Sequence, residues 1–190
     1  MSEQVSENFI SVSERLKRFK PNSGRRTVKH YPTGIKKLDQ MLGGGLYAGL
    51  TFLGARPGMG KSTFALQIAS EIAAAGSPVL LYSLEMPSVR MEAKILNRAI
   101  HMRYPNSSLT ADWFLREENN TGKQKEWKLV EKVGEEISGS FDRMYIKERK
   151  KLSVSGRDIV QDVEMFMNEK KEKPVVFVDY LQILSSCTGQ

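Results

Sequence analysis

The hydrophobic pattern of the chain alternates between short apolar runs and segments with apolar residues at every third or fourth position. The runs predict four β-strands, at residues 50–53, 79–84, 144–146 and 175–184. The helical spacing predicts one helix before the first strand, with Leu38 on its apolar face, and helices between the strands, with apolar faces that include Ile68, Val133 and Val163. A further helix is predicted from Pro87 towards His101. This order of elements predicts an α/β fold.

Capping residues and helix-breaking residues indicate where the predicted helices begin and end. Thr33 is predicted to cap the helix that carries Leu38, and Gly43 to Gly45 to stop it. Gly76 with Pro78 ends the next helix, and Ser153 is predicted to start the one that carries Val163. Residues 105–125 are polar and predict a loop with one short turn at Trp113 and Phe114.

Strands that alternate with helices predict a mostly parallel sheet with helices on both faces. The uninterrupted apolar run at residues 79–84 is typical of a strand buried on both sides. We expect the compact domain to cover residues 31–190. Residues 1–30 predict a basic N-terminal arm or linker with a short helix at about 8–19, whose apolar residues are Phe9, Ile10, Leu16 and Phe19.

Composition narrows the class of protein. The 190 residues carry a net charge of +7 and one cysteine, Cys187, which has no partner for an internal disulfide. No apolar run is long enough for a membrane helix or a signal peptide, so we expect a cytoplasmic protein. The positive charge concentrates in residues 1–37 and 143–151. Either cluster can attract a phosphate polymer, or can simply be solvated surface.

The strongest chemical motif is a glycine-rich phosphate-binding loop between a predicted strand and a predicted helix. It fits the pattern G-x-x-x-x-G-K-[ST], with alanine in place of the first glycine. Backbone N–H groups of such a loop surround a phosphate, the lysine reaches the β- and γ-phosphates, and the hydroxyl binds Mg²⁺. The predicted nucleotide-binding residues are Ala55, Arg56, Pro57, Gly58, Met59, Gly60, Lys61, Ser62 and Thr63.

Two carboxylates follow predicted strands and complete the candidate site. Asp179 follows the apolar residues 175–178 and lies 118 residues after Lys61, which is the Walker B arrangement for holding Mg²⁺ together with Ser62. Tyr180, the next residue, cannot act as a base at neutral pH. Glu85 directly follows the run at 79–84, and the ends of parallel strands share one sheet edge. We therefore predict that Glu85 orients the water that attacks the γ-phosphate.

Four segments, in this order, resemble the ATPase domain of DnaB-type replicative DNA helicases: TGIKKLDQMLGGG, GARPGMGKSTFALQIA, YSLEMP and VDYLQIL. The resemblance implies a RecA-like core in a hexameric ring that hydrolyses ATP with Mg²⁺ and translocates on single-stranded DNA. It also implies that Lys61 and Glu85 are catalytic and that Gln182 senses the γ-phosphate. A strand-end glutamine without a special role is the alternative for Gln182.

Two departures from that family shape further expectations. The family continues beyond its DYLQ motif with DNA-contacting loops and an arginine finger, so we expect a fold incomplete at its C-terminal side. We also expect the isolated chain to be weak or inactive as a helicase. We expect no counterpart of the family's primase-binding domain, and the arm either corresponds to the linker helix that docks on an adjacent subunit or is a frayed tail.

Two other functions remain open from the sequence. One is a RecA-like ATPase of the circadian-clock or recombination-accessory kind, because TGIKKLDQMLGGG occurs in similar form in those families. The other is an ATP-binding module without turnover. The segments YSLEMP and VDYLQIL favour the helicase.

Overall fold

The computed structural model describes residues 11–17, 29–116, 122–148, 154–179 and 184–185. Short 3₁₀ turns lie at Trp113–Leu115 and Gly139–Phe141. The helices and strands are, in chain order, α1 (Val12–Lys17), β1 (His30–Tyr31), α2 (Lys36–Met41), β2 (Leu46–Tyr47), α3 (Lys61–Ala74), β3 (Val79–Ser83), α4 (Ser88–Arg103), α5 (Gln124–Ser138), β4 (Met144–Glu148), β5 (Val154–Ser155), α6 (Gly156–Lys170), β6 (Val175–Asp179) and β7 (Leu184–Ser185).

A parallel sheet of three strands in the order β4-β3-β6 forms the centre of the fold. Every residue of β3 is buried, as the continuous apolar run predicts. In register, Ser83 at the end of β3 lies opposite Glu148 on one neighbour and Asp179 on the other. Polar residues from all three strands therefore meet at the carboxyl edge of the sheet.

Helices cover both faces of this sheet, as predicted. On one face, Leu81 packs with Leu66 of α3 and Met91 of α4. On the other face, Leu80 and Tyr82 pack with apolar residues of α6. The alternation of side chains along β3 thus divides the core into two layers, and α3 and α6 lie on opposite sides.

The predicted strand at residues 50–53 is wrong. These residues have no regular secondary structure, and the side chains of Leu50 and Phe52 are 79% and 70% exposed. A strand exists only when its backbone groups bond to a neighbouring strand. No strand in the described part of the chain pairs with this segment, so its β-forming composition alone does not produce a strand.

Helix starts differ from the sequence prediction in detail. Helix α2 begins at Lys36 with Ile35 at its N-cap, and Thr33 acts from two residues earlier. The Thr33 hydroxyl accepts the Ile35 N–H at 3.3 Å and donates to the carboxylate of Asp39 at 2.8 Å. Helix α6 is capped by Ser155, not Ser153, which lies outside the described residues.

The N-terminal segment is described only at α1, which falls within the helix predicted at 8–19. Leu16 is exposed there, and the other apolar positions of the predicted helix, Phe9, Ile10 and Phe19, lie outside the described residues. Nothing in the described ranges forms a helix long and apolar enough to cross a bilayer.

A second apolar cluster joins α4 to α5 away from the sheet. Ile100 and Val133 are fully buried in it, and the turn at 113–115 predicted from the sequence covers one side. The rings of Trp113 and Trp127 pack with centroids 5.2 Å apart. These tryptophans contribute to packing between helices.

Candidate nucleotide-binding site

The glycine-rich loop leads directly into α3, as the phosphate-binding motif requires. Residues 54–60 are exposed, and α3 begins at Lys61. Gly58 and Gly60 have φ values of 78° and 85°, a left-handed conformation that glycine adopts without strain. The Met59 N–H donates to the Arg56 carbonyl at 3.2 Å and tightens the turn. The loop therefore has the curvature and accessibility of an anion-binding turn.

The start of α3 presents backbone donors beside this turn. The first N–H groups of a helix have no partner within the helix, and the helix dipole favours a negative charge there. Ser62 and Thr63 lie in the first turn, directly after Lys61. A phosphate group at this position would meet backbone N–H groups, a lysine and a hydroxyl together.

Lys61 and Asp179 meet although 118 residues separate them in the chain. The Lys61 ammonium lies 3.0 Å from Oδ1 of Asp179, with side-chain exposures of 26% and 6%. Regular secondary structure holds both residues in place, because Lys61 is the first residue of α3 and Asp179 is the last residue of β6. The contact joins the phosphate loop to the carboxyl edge of the sheet.

The second carboxylate oxygen of Asp179 bears on whether this site fits a cation. Oδ2 is buried and has no hydrogen-bond partner in the described part of the chain, a costly state for a carboxylate oxygen. The described residues contain no group of three or more His, Cys, Asp or Glu side chains that would enclose a metal. One carboxylate, together with the hydroxyl of the residue that follows Lys61, suits Mg²⁺, which usually keeps several waters and binds substrate phosphates. Asp179 and Ser62 fit that role.

Glu85 lies at the same sheet edge, two residues after β3. The Leu84 N–H donates to the Asp179 carbonyl at 2.9 Å, which continues the pairing of β3 with β6 by one residue. Glu85 is exposed. The structure therefore places the predicted base directly after a residue bonded to the predicted metal ligand.

Gln182, and Tyr180 before it, lie outside the described residues. The role of Gln182 as a γ-phosphate sensor stays a prediction. The chemical roles of Lys61, Ser62, Glu85 and Asp179 likewise stay predictions.

One cation near the loop was missed by the sequence analysis. Lys94 of α4 donates from Nζ to the Thr63 hydroxyl at 2.7 Å. No motif marks this lysine, because its proximity comes from the packing of α4 on α3. The apolar face of α4 is the signal that could have found it, since that face orients Lys94 towards α3.

The basic cluster at 143–151 is partly neutralised where it is described. Arg143 pairs with Glu172, and Lys147 lies 2.6 Å from Asp162 of α6. Asp162 also accepts a hydrogen bond from the Tyr82 hydroxyl at 3.1 Å. Burial and this neighbouring carboxylate raise the pKa of Tyr82 well above its ordinary value. Lys147 therefore joins β4 to α6, whereas Arg143 joins the residue before β4 to the segment after α6.

The parallel sheet, the phosphate loop before α3 and the lysine–aspartate contact are together the features of a P-loop protein. Residues 31–190 match the family described as DnaB-like helicase C terminal domain. The chain belongs to this family. Its resemblance to DnaB-type helicases is thereby confirmed.

Curated relatives of two kinds match the chain. A probable replicative DNA helicase of Trieres chinensis is 26% identical over 187 residues, 95% of this chain and 37% of the relative. The replicative DNA helicase DnaB of Buchnera aphidicola is 26% identical over 96% of this chain and 36% of its own length. The DNA repair protein RadA of Mycolicibacterium smegmatis is 50% identical, over 59 residues.

Solved structures agree with the fold. A solved ATPase domain superposes with a TM-score of 0.68 and 24% identity, covering 93% of this chain and 57% of that one. A DnaB-like replicative helicase, described with its primase interactions, gives a TM-score of 0.66 and 23% identity. This match covers 97% of the present chain and 41% of the helicase chain. The chain spans 13–37% of the length of the curated relatives described above.

Proposed function

We propose that this chain binds ATP with Mg²⁺ and hydrolyses it. The observation that carries the proposal is the 3.0 Å contact between Lys61 and Asp179, which joins the two nucleotide motifs at one sheet edge. The buried, unpartnered Oδ2 of Asp179 among the described residues supports the Mg²⁺. The exposed loop at 54–60 leaves room for the phosphates.

Each site residue has a distinct proposed role. Lys61 neutralises charge on the β- and γ-phosphates, and backbone N–H groups of the loop orient them. Ser62 and Asp179 hold Mg²⁺, which supplies further neutralisation of the phosphate charge. Glu85 orients the attacking water and accepts its proton. Gln182 senses the γ-phosphate.

We further propose that ATP hydrolysis drives translocation on single-stranded DNA within a hexameric ring, in the cytoplasm. Family membership over residues 31–190 supports this, and it supports residues 1–30 as a separate arm. The isolated chain of 190 residues is expected to be weak or inactive as a helicase, since it spans 36–37% of the helicase relatives.

A recombination-accessory ATPase is the second candidate. The match to RadA at 50% identity over 59 residues favours it locally. The helicases match 95–96% of the chain, which favours the first proposal. The third candidate is an ATP-binding module without turnover. Phosphate release distinguishes it from the other two, because such a module binds nucleotide without hydrolysing it.

Calorimetry with a non-hydrolysable ATP analogue and Mg²⁺ tests the proposal. Lys61→Ala should weaken binding by at least about tenfold or abolish turnover, because it removes the charge on the phosphates. Lys128→Ala, at an exposed position of α5, is the matched control and should bind as wild type does. Equal affinity and equal turnover in wild type and Lys61→Ala would refute the assignment.

A further inference from the structure

Three polar residues form one row across the carboxyl edge of the sheet. Ser83 of β3 lies between Glu148 of β4 and Asp179 of β6 in register. The proposed function uses Asp179 at one end of this row and Glu85 just beyond its centre. Glu148, at the other end, has no role in that function.

The segment that carries Glu85 is a short connection between β3 and α4, and it is held at both ends. At its start, the Leu84 N–H donates to the Asp179 carbonyl at 2.9 Å. Within it, the Ser83 hydroxyl donates to the Met86 carbonyl. At its end, the Ser88 N–H donates to Oε1 of Glu148.

The hydrogen bond from Ser88 to Glu148 caps α4, whose own N-cap residue makes no capping hydrogen bond. The N-cap of α4 is Pro87, whose side chain makes no capping hydrogen bond. A helix start with free N–H groups and a partial positive charge favours a carboxylate. Glu148 supplies that carboxylate from the neighbouring strand, 60 residues further along the chain. The start of α4 is thereby bonded to β4.

We propose that Glu148 is a positioning residue for Glu85. By holding the first turn of α4 against β4, it fixes the far end of the connection whose near end is bonded to Asp179. A base must be held close to its productive geometry, and a displacement of about 1 Å can cost a hundredfold in rate. The proposal rests on the proposed role of Glu85 and goes beyond it, since Glu148 acts through the Ser88 N–H and is not among the residues proposed to bind the nucleotide.

Two substitutions remove the same bond from opposite sides. Glu148→Ala removes the acceptor, and Ser88→Pro removes the donor at the first helical position, where proline is well tolerated. Glu148 makes a further interaction, so Ser88→Pro isolates the bond in question. Glu131→Ala, at an exposed position of α5, is the control for loss of a surface carboxylate.

Single-turnover hydrolysis of labelled ATP and calorimetry with a non-hydrolysable analogue are measured on all variants of the full chain. We expect Glu148→Ala and Ser88→Pro each to lower the hydrolysis rate about tenfold, with nucleotide affinity unchanged. The double variant should be no slower than either single one, because both remove one bond. Glu148→Gln keeps an acceptor and should retain most of the rate. Glu131→Ala should match wild type.

The outcomes separate this proposal from the proposed function. Unchanged rates in Glu148→Ala, additive losses in the double variant, or a parallel loss of nucleotide affinity would each overturn the positioning role. If Glu85→Gln hydrolyses ATP as fast as wild type, the role of Glu85 fails, and that of Glu148 fails with it. Weakened nucleotide binding in Lys61→Ala, with full hydrolysis rates in Glu148→Ala and Ser88→Pro, would leave the proposed function standing and refute the role of Glu148 alone.

Discussion

The backbone of Leu84 is hydrogen-bonded to the backbone of Asp179, with 2.9 Å between the Leu84 nitrogen and the Asp179 oxygen. Because Glu85 follows Leu84 directly, this bond relates the proposed base to the proposed Mg²⁺ ligand through main-chain atoms. The sheet therefore sets their spacing, and the side chains contribute the chemistry.

Glu85→Gln should retain nucleotide binding and lose hydrolysis. The amide keeps the shape of the side chain and cannot take a proton from water, a contribution typically worth about 10²–10⁴ in rate. Phosphate release and calorimetry on the same preparation measure both properties. Hydrolysis at the wild-type rate by Glu85→Gln, with loss of it in Asp179→Asn, would place the base elsewhere.

Asp179→Asn should remove the Mg²⁺ dependence of nucleotide binding. The amide is a weaker ligand for a hard cation than a carboxylate, and the charge pair between Lys61 and Asp179 is lost. The ratio of affinities measured with Mg²⁺ and with EDTA should fall towards unity. Asp142→Asn, at an exposed position before β4, is the control and should keep the wild-type ratio. A Mg²⁺ dependence that survives Asp179→Asn would contradict the assignment.

Tyr82 should make the protein lose stability at alkaline pH. Burial and the Asp162 carboxylate raise its pKa above the ordinary value of 10.0. A raised pKa in the folded state contributes stability that is complete below the unfolded pKa and is lost as pH rises towards the folded one. The free energy of unfolding should therefore fall above about pH 10, by up to about 1.4 kcal/mol per pH unit for this group.

Tyr82→Phe isolates that effect. Urea unfolding of both proteins across the alkaline range should show a shallower fall for Tyr82→Phe, since phenylalanine has no proton to lose. Below about pH 9, the variant should be less stable by about 0.5–1.5 kcal/mol, the usual net value of the lost hydrogen bond. Parallel curves for the two proteins would show that Tyr82 does not carry the alkaline transition.

Leu81→Ala should be strongly destabilising, because Leu81 lies at the centre of β3 and packs on Leu66 and Met91. A leucine-to-alanine change at a buried site costs about 2–5 kcal/mol of unfolding free energy. Val160→Ala, on the exposed side of α6, should cost less than about 0.5 kcal/mol. Equal unfolding midpoints in urea for the two variants would contradict the assignment of β3 as the central strand.

The sequence predicted those parts of the fold that depend on local pattern. The uninterrupted apolar run of β3 indicates a strand buried on both faces, and the periodic apolar residues of α3 and α5 indicate helices. The phosphate loop was readable because its glycines and lysine must follow one another at fixed spacing. The DnaB-type resemblance added the family, which the comparisons confirm.

Features that depend on tertiary partners were not predictable. Residues 50–53 have strand composition, but a strand needs a bonded neighbour, and periodicity carries no information on that neighbour. Lys94 reaches Thr63 only because α4 packs on α3. Glu148 reaches Ser88 only because β4 lies beside β3 in this register. Neither contact leaves a motif in the sequence.

DNA binding by this chain should be weak, independent of sequence and steeply dependent on salt. The positive charge concentrates in residues 1–37 and 143–151, and such contacts release counterions from the phosphates. Within the second cluster, Arg143 and Lys147 have acidic partners, so the first cluster should contribute more. Fluorescence anisotropy with a single-stranded oligonucleotide across a salt series measures the slope.

The double variant Lys36→Glu/Lys37→Glu assigns that binding to the first cluster, because both lysines are exposed at the start of α2. It should bind DNA more weakly and with a smaller salt slope than Lys125→Glu/Lys128→Glu, an equal charge change on exposed positions of α5. Binding that does not respond to salt would indicate a DNA site of a different chemistry.

The same preparations should fail to displace a strand from a forked duplex with ATP, and ATP-dependent displacement would overturn the expectation that the isolated chain is weak or inactive as a helicase.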